Sequence, residues 1–307
     1  MTRFWLIKLL RTILTLWFVV TFTFVVLRTS GDPVVALLGG DAMPDEIEQF
    51  RRQWGLDQPL IVQYLSYIGQ MATGQFGDSL RDHRPVMDII LERVPATVSL
   101  GLVAYLLATL VGIPAGIIAA LRRGRFVDRA IMAFAVFGFA LPNFFLGILM
   151  ILLFSLMLQV LPSSGTGTIW HFIMPAVTLG TFTAGTLARF TRSAMLEVLE
   201  RPYMRAAAAK GVPAVKRILF HAFPNAAIPI VTIVGLNLGQ LIAGAIVVET
   251  VFAWPGVGRL LVTAVSQRDL ALVQGLVLVI AATMVLANLA VDLTYGLLDP
   301  RIRKGAR

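Results

Sequence analysis

Long runs of apolar residues, separated by shorter polar segments, are the dominant pattern of this 307-residue chain. Six runs stand out, and most of them reach the roughly 20 residues that a helix needs to cross the hydrocarbon core of a bilayer. They cover residues 13–27, 96–121, 130–158, 172–188, 226–248 and 271–291. The pattern predicts an all-α membrane protein with six transmembrane helices.

The first run is short because Arg11 and Arg28 bound it. Residues 5–10 extend it if Lys8 and Arg11 carry their charges out to the membrane surface. No small-residue cleavage pattern follows in residues 28–32. We therefore interpret the run as an uncleaved anchor rather than a signal peptide.

Composition supports a multi-pass membrane protein. Apolar residues make up 57% of the chain and charged residues 14%, and the mean hydropathy is +0.81. A soluble domain would carry more charge than this. The chain has no cysteine, which excludes a disulfide framework and a thiolate metal site.

The distribution of positive charge predicts the topology. Of the 26 Lys and Arg residues, 18 lie near the N-terminus, in the loops 122–129 and 189–217, or from residue 301 onward, and 8 lie within 28–93 and 254–270. By the positive-inside rule, both termini and the 189–217 loop are cytoplasmic, an N-in/C-in arrangement. The positive-inside distribution accounts for the net charge of +9, so this charge does not indicate that the protein binds nucleic acid.

These assignments divide the chain into three parts. Residues 1–28 form the N-terminal tail and first transmembrane helix, residues 29–95 an external segment on the periplasmic side, and residues 96–307 the core with transmembrane helices two to six and a coupling loop, 189–225.

The external segment is expected to contain helices of its own. One would run from Pro44 to Gly55, and a second, over 59–68, would lay its apolar side on the membrane. Glycine and proline motifs at 31–33, 55–59 and 77–79 favour turns, with direct substrate contact as the alternative.

The most basic internal loop contains a short predicted helix. Pro202 can open it, strong helix formers continue it over 205–210, and Gly211 ends it. Its four alanines leave little side-chain bulk, so another surface could approach closely. A second helix is expected over 214–223, ended by Pro224. These features indicate a docking element, and an ordinary basic connector that only fixes topology is the alternative.

The same loop resembles the permease signature of ATP-binding-cassette (ABC) importers, in which Glu-Ala-Ala is followed by Gly and, further on, by a hydrophobic residue and Pro. The corresponding residues here are Arg205, Ala206, Ala207, Gly211 and Phe223-Pro224. Arg in place of Glu resembles the dipeptide and oligopeptide branch of this family. Segments 252–258 and 299–303 also resemble family phrases, so the resemblance covers nearly the whole chain.

The resemblance implies a permease subunit in the bacterial inner (plasma) membrane that moves dipeptides or oligopeptides by alternating access. The implied partners are a second permease subunit, two cytoplasmic ABC ATPases and an external solute-binding protein. ATP and Mg would be bound by the ATPases, with no cofactor in this chain. The ATPase contact would involve Arg205, Ala206, Ala207, Gly211 and Pro224. Glutathione or a nickel complex is the alternative cargo.

Polar side chains within the apolar runs are candidates for the translocation pathway. Asn237 and Gln240 share a face of the fifth predicted helix, and Asn288 lies on the sixth. Asn143 follows Pro142 in the third run, where a kink is expected. Hydrogen bonding between helices is the alternative role of each polar residue.

Two further features predict helix packing. Gly112 and Gly116 are spaced for the close approach of a neighbouring helix. Glu249, near the outer end of the fifth helix, is expected to pair with Arg259 or Arg268, because an unpaired carboxylate at that depth is costly.

Catalytic motifs are missing from the sequence. There is no GxxxxGK[ST] phosphate loop, no HExxH and no GxSxG, and only three histidines occur. We predict no catalytic residue, no metal site and no enzymatic activity of this chain. An ion-coupled secondary transporter is a rival class, but it would need carboxylates near the membrane midplane, whereas Glu249 and Asp292 lie near the ends of predicted helices.

Overall fold

The structure is a computed structural model that describes residues 2–29, 43–53, 55–79 and 81–298. Within these ranges the chain forms helices, connecting turns and one isolated bridge between Asp78 and Pro85. The motif at 31–33, the segment 299–303 and the side chains of Gln240 and Asp292 lie outside the described part. The predictions that concern these residues therefore stay predictions.

Eleven helices follow one another in the described chain. They are α1 (Thr2–Thr29), α2 (Pro44–Gln53), α3 (Leu60–Thr73), α4 (Val86–Leu121), α5 (Phe126–Ala140), α6 (Asn143–Met150, continued as the π-helix Ile151–Met157), α7 (Trp170–Leu199), α8 (Pro202–Ala209), α9 (Ala214–Lys216, the π-helix Arg217–Ala222 and Phe223–Val251), α10 (Val257–Ser266) and α11 (Leu270–Leu298). The chain divides into two compact units, one of residues 1–95 and 256–286 and one of residues 96–255 and 287–307.

In the first unit, α3 packs on the C-terminal half of α1. Val20 and Phe24 of α1 are buried against Tyr67, and the hydroxyls of Thr21 and Tyr64 share a hydrogen bond of 2.7 Å. The predicted helix starts near Pro44 and Pro59 are confirmed, although α3 continues five residues beyond the predicted end at residue 68.

A second cluster of the first unit joins the start of α4 to α10 and α11. Its buried members are Val86, Ile89, Ile90, Val257, Ala264, Leu272, Val273 and Leu276. Ser79 donates a 2.5 Å hydrogen bond to Asp269, whose other carboxylate oxygen accepts the backbone N–H of Leu272 at 3.1 Å. The turn interpretation of motif 77–79 is supported, because Gly77 has a φ of 71° and Ser79 binds Asp269, the residue that caps the start of α11.

The second unit is built on close contacts between helices with small residues. An added Cβ at Gly112 would lie 2.6 Å from the carbonyl oxygen of Ala184, and one at Gly116 would lie 2.5 Å from that of Ala188. The predicted close packing at these two glycines is confirmed, with α7 as the neighbour. α7 also packs against α5, α6 and α9, and it is the central helix of this unit.

An aromatic cluster closes one end of the second unit. Trp254 is 1% exposed, meets Phe172 edge to face at 4.5 Å and donates from Nε1 to the carbonyl oxygen of Ala96 at 2.8 Å. Glu249 is fully buried beside it and accepts a 2.6 Å hydrogen bond from Thr97. The predicted cation partner of Glu249 stays a prediction.

The third apolar run is not one straight span. α5 and α6 meet at an angle of 106°, because Leu141 and Pro142 both adopt extended backbone angles between the two helices. A residue before proline is driven out of the helical region, and proline itself lacks the N–H that would continue the helix. The kink predicted at Pro142 is therefore a full break.

The predicted separate helix over 214–223 is wrong, because α9 runs without interruption past Pro224. A π-helical turn over Arg217–Ala222 precedes the proline and changes the hydrogen-bond register, which accommodates the missing N–H. Asn225 donates from its side chain to the carbonyl oxygen of His221 at 2.7 Å. The basic loop thus leads directly into the fifth apolar run.

Within the described chain, four helices are long and apolar enough to cross a membrane, and a fifth span is obtained if the bent α5–α6 pair counts as one. The four helical segments are Leu6–Val26, Val86–Leu121, Ala214–Gly235 and Leu270–Leu289. α7, which contains the predicted fourth run, does not reach this hydropathy because threonines and glycines interrupt its apolar sequence. Thr178, Thr183 and Thr191 are nevertheless buried.

Candidate coupling site and translocation residues

The short helix predicted in the basic loop is confirmed as α8. Arg201 is extended just before it (φ −65°, ψ 144°) and Pro202 occupies the first turn, where its fixed φ favours a helix start. Gly211 ends it with a φ of 76°. The N–H of Gly211 donates to Ala208 at 3.0 Å and that of Val212 to Ala207 at 3.1 Å, the hydrogen-bond pattern of a Schellman cap.

Met204 packs α8 against the rest of the second unit. Met204 is 6% exposed and belongs to a cluster with Ala120 of α4, Met195 of α7 and three residues of α9: Ala222, Ala226 and Ile230. A methionine suits such a junction, because its flexible side chain fills irregular space between helices. Met204 therefore connects α8 to α4, α7 and α9 through one apolar cluster.

Apart from Met204, α8 is largely exposed. Arg205, Ala206 and Ala208 are exposed, and Ala207 is half-buried. Gly211 is also exposed, and no described atom lies within 4 Å of an added Cβ at this position. The sequence-predicted residues 205–207 and Gly211 thus lie on one small, accessible element, whereas Pro224 lies exposed on α9, in a different helix.

An ion pair that the sequence did not indicate lies near this element. Arg192 of α7 donates from Nε and Nη2 to the two carboxylate oxygens of Asp128 at 2.6 and 2.8 Å. Asp128 also accepts the backbone N–H of Gly124 at 2.9 Å. One acidic residue among the four basic ones of loop 122–129 was the available signal, but its partner is 64 residues away.

Three of the four pathway candidates have described side chains, and each has a different environment. Asn143 is half-buried, and an added Cβ at Gly244 would lie 3.3 Å from its Nδ2, so it faces α9. Asn237 is 7% exposed and donates to the carbonyl oxygen of Ile233 in its own helix at 2.9 Å. Asn288 is exposed. Among described residues, no group of three or more His, Cys, Asp and Glu side chains could hold a metal ion.

Apolar helices of spanning length, with a short capped helix joined to them, define a multi-helix membrane protein. The chain belongs to the family described as binding-protein-dependent transport system inner membrane component, whose profile matches residues 112–304. The profile of the N-terminal part of such membrane components matches residues 1–101. The protein is therefore an ABC importer permease of the inner membrane, and the secondary-transporter alternative is dropped.

Similar proteins cover almost the whole chain. The di/tripeptide transport system permease protein DppB of Pseudomonas aeruginosa (strain UCBPP-PA14) is 39% identical over 94% of this chain and 95% of its own length. The dipeptide transport system permease protein DppB of Escherichia coli (strain K12) is 40% identical over 92% and 93%. The glutathione transport system permease protein GsiC of the same strain is 43% identical over 96% and 97%.

A solved structure shares the fold. The inward-facing MetNI methionine ABC transporter aligns with a TM-score of 0.59 at 21% identity, covering 69% of this chain and 97% of that chain. At this identity the likeness concerns the fold alone.

Proposed function

We propose that this chain forms half of the translocation pathway of an importer for di- and oligopeptides and that α8 docks on a separate ABC ATPase. The observation that carries the coupling role is the geometry of α8. It is short, capped at Gly211, largely exposed and joined to the second unit through Met204. An element of this kind can receive a force on one side and pass it on from the other.

The proposed partners follow from the permease family. They are a second permease subunit, two ATPases that bind ATP and Mg on the cytoplasmic side, and a solute-binding protein outside. In this arrangement Arg205, Ala206, Ala207 and Gly211 contact the ATPase, and Pro224, ten residues into α9, completes the proposed coupling site. ATP hydrolysis takes place in the partner chains.

Alternating access provides the mechanism. Closure of the ATPases would push on α8, and Met204 would transmit the push to Met195 of α7 and Ile230 of α9. Rigid helices that change their relative tilt open the pathway alternately to the two sides. Asn143, Asn237, Gln240 and Asn288 are proposed to offer polar, replaceable contacts along it.

The topology is proposed to have six spans with both termini inside. α7 supplies the sixth span, the predicted run 172–188, and the threonines and glycines that lower its hydropathy are buried between other helices and contact little lipid. The positive-inside distribution supports the orientation.

Peptides are the proposed cargo because two of the relatives are named for them. Glutathione is a second candidate, since the relative named for it has the higher identity, 43%. Uptake of a labelled dipeptide and, in a separate assay, of labelled glutathione distinguishes the two. Uptake of glutathione without uptake of the dipeptide would exchange the first candidate for the second.

The coupling role is tested at Gly211. A β-branched residue is strained at positive φ, where even ordinary side chains cost about 1–2 kcal/mol, so Gly211→Val should disturb the cap of α8. Asparagine tolerates this conformation, so Gly211→Asn is the matched control. We expect Gly211→Val to reduce both peptide uptake and co-purification of the ATPase chains, and Gly211→Asn to retain most of each. Full uptake and full co-purification with valine would refute the docking role of α8.

A further inference from the structure

A polar cavity lies within the first unit, between the end of α1, one face of α3 and the start of α11. Its volume is about 260 Å³, near the lower end of the roughly 300–1,000 Å³ usual for small-ligand sites. Five polar side chains of its lining could bind a ligand: Arg28, Gln63, Ser66, Tyr67 and Gln274. The cavity thus combines a cation with several hydrogen-bonding groups.

Two buried polar atoms in its wall are unsatisfied. Tyr67 is 8% exposed, and no described residue supplies a hydrogen-bond partner for its hydroxyl or for Oε1 of Gln63. The amide nitrogen of Gln63 donates to the carbonyl oxygens of Leu56 and Gln58 at 3.2 and 2.6 Å, so Oε1 is left as an acceptor. Because buried polar atoms in native proteins almost always have partners, a molecule from outside the chain is expected to supply them.

The same wall carries a cation, Arg28. The Arg28 guanidinium lies 5.5 Å from the centroid of the Phe24 ring, and that ring stacks on Tyr67 at 5.6 Å. Guanidinium groups bind phosphate oxygens with strong, directional hydrogen bonds. Burial raises the pKa of Tyr67, so its hydroxyl stays neutral, and its oxygen can accept a hydrogen bond from a ligand N–H.

The surroundings of the cavity are apolar, which favours an amphiphile over a soluble ligand. The apolar span of α1 ends at Val26, two residues before Arg28. Phe22 and Val25 of α1 are exposed, as are Leu60, Ile61 and Leu65 of α3. Acyl chains can cover such surfaces while a polar head group enters the cavity.

We propose that this cavity binds the head group of a phospholipid that carries a primary amine, as in phosphatidylethanolamine. The phosphate lies at Arg28, the ammonium donates to Oε1 of Gln63 and to the Tyr67 hydroxyl, and the acyl chains follow α1. The bound lipid holds α3 against α1 at the membrane surface. The site requires only that α1 spans the membrane, so it stands apart from the proposed cargo and ATPase contact.

The test uses the purified full-length chain in detergent micelles, titrated with phosphatidylethanolamine or phosphatidylcholine, with bound lipid counted by native mass spectrometry. Phosphatidylcholine has the same phosphate but no N–H donor. We expect phosphatidylethanolamine to bind about three- to tenfold more tightly, the range given by one or two hydrogen bonds. Tyr67→Phe should remove most of this preference, and Arg28→Gln should weaken binding of both lipids.

A matched control lies one turn away on α3. Tyr64 pairs with Thr21 and does not line the cavity, so Tyr64→Phe should keep the lipid preference. Tyr67→Phe removes a hydroxyl for which no described residue is a hydrogen-bond partner, so the chain should fold as well as the native one. Equal binding of the two lipids, or an unchanged preference in Tyr67→Phe, would overturn the proposal. Displacement of the lipid by millimolar inorganic phosphate would overturn it too, in favour of a soluble anion.

Discussion

Asp128 and Arg192 form a bidentate ion pair that joins the start of α5 to α7. The carboxylate is 4% exposed and the guanidinium 28%. Arg192 precedes Met195 by three residues, and Met195 contacts the cluster that holds Met204 of α8. The ion pair therefore anchors the part of α7 that packs near α8 in the cluster of Met195 and Met204.

Loss of this pair should destabilise the chain. Removing one partner of a buried pair costs about 3–5 kcal/mol. Asp128→Asn should cost less, about 2 kcal/mol, because Arg192 is partly exposed and can be rehydrated. We expect a lower midpoint of thermal unfolding for the purified chain.

Arg123 and Glu200 provide the control for this prediction. Their side chains are 60% and 66% exposed, and exposed pairs contribute about 0–1 kcal/mol. Glu200→Gln should therefore leave the unfolding midpoint nearly unchanged. Equal shifts for Asp128→Asn and Glu200→Gln would mean that burial of the Asp128 pair does not contribute.

Local features of this fold were predictable from sequence, and long-range pairings were not. The cap at Gly211 follows from glycine at the end of an alanine run, and the approach of α7 to Gly112 follows from small residues at helical spacing. By contrast, Ser79 meets Asp269 across 190 residues, and no local pattern marks either as a partner. The break at Pro142 was foreseen as a bend, but its angle depends on packing against α7 and α9.

The glycines of α4 allow a sharp test of close packing. An added methyl group at Gly112 meets backbone atoms of Ala184, which can move only if the helices separate, at a cost of about 1–3 kcal/mol. At Gly101, in the same helix, no described atom lies within 4 Å of an added Cβ. Gly112→Ala should lower the unfolding midpoint, and Gly101→Ala should keep or raise it, since alanine favours helix by about 1 kcal/mol. A similar response of both variants would contradict the α4–α7 contact.

The proposed topology can be measured with single cysteines, because the chain has none of its own. Gln49, Gln267 and Ala208 are all exposed. Cysteines at Gln49 and Gln267 should react with a membrane-impermeant maleimide in intact cells. A cysteine at Ala208 should react only after lysis. The reverse pattern would show that the topology is inverted. α8 would then lie outside the cell, where no ATPase could dock on it.

The last prediction concerns the pathway and separates its two interpretations at Asn237. The side-chain bond from Asn237 to Ile233 lies within one helix, so its loss leaves the backbone ladder of α9 intact and should cost little stability. Asn237→Leu should then slow peptide uptake while the yield of intact complex stays normal. Gln240→Leu, one turn further along the same predicted face, should also slow uptake at normal yield. A polar solute that leaves water loses hydrogen bonds, and an apolar lining does not replace them. Both quantities must be measured on the same membranes. If yield falls in proportion to uptake, Asn237 holds helices together, and if neither changes, it lies outside the pathway.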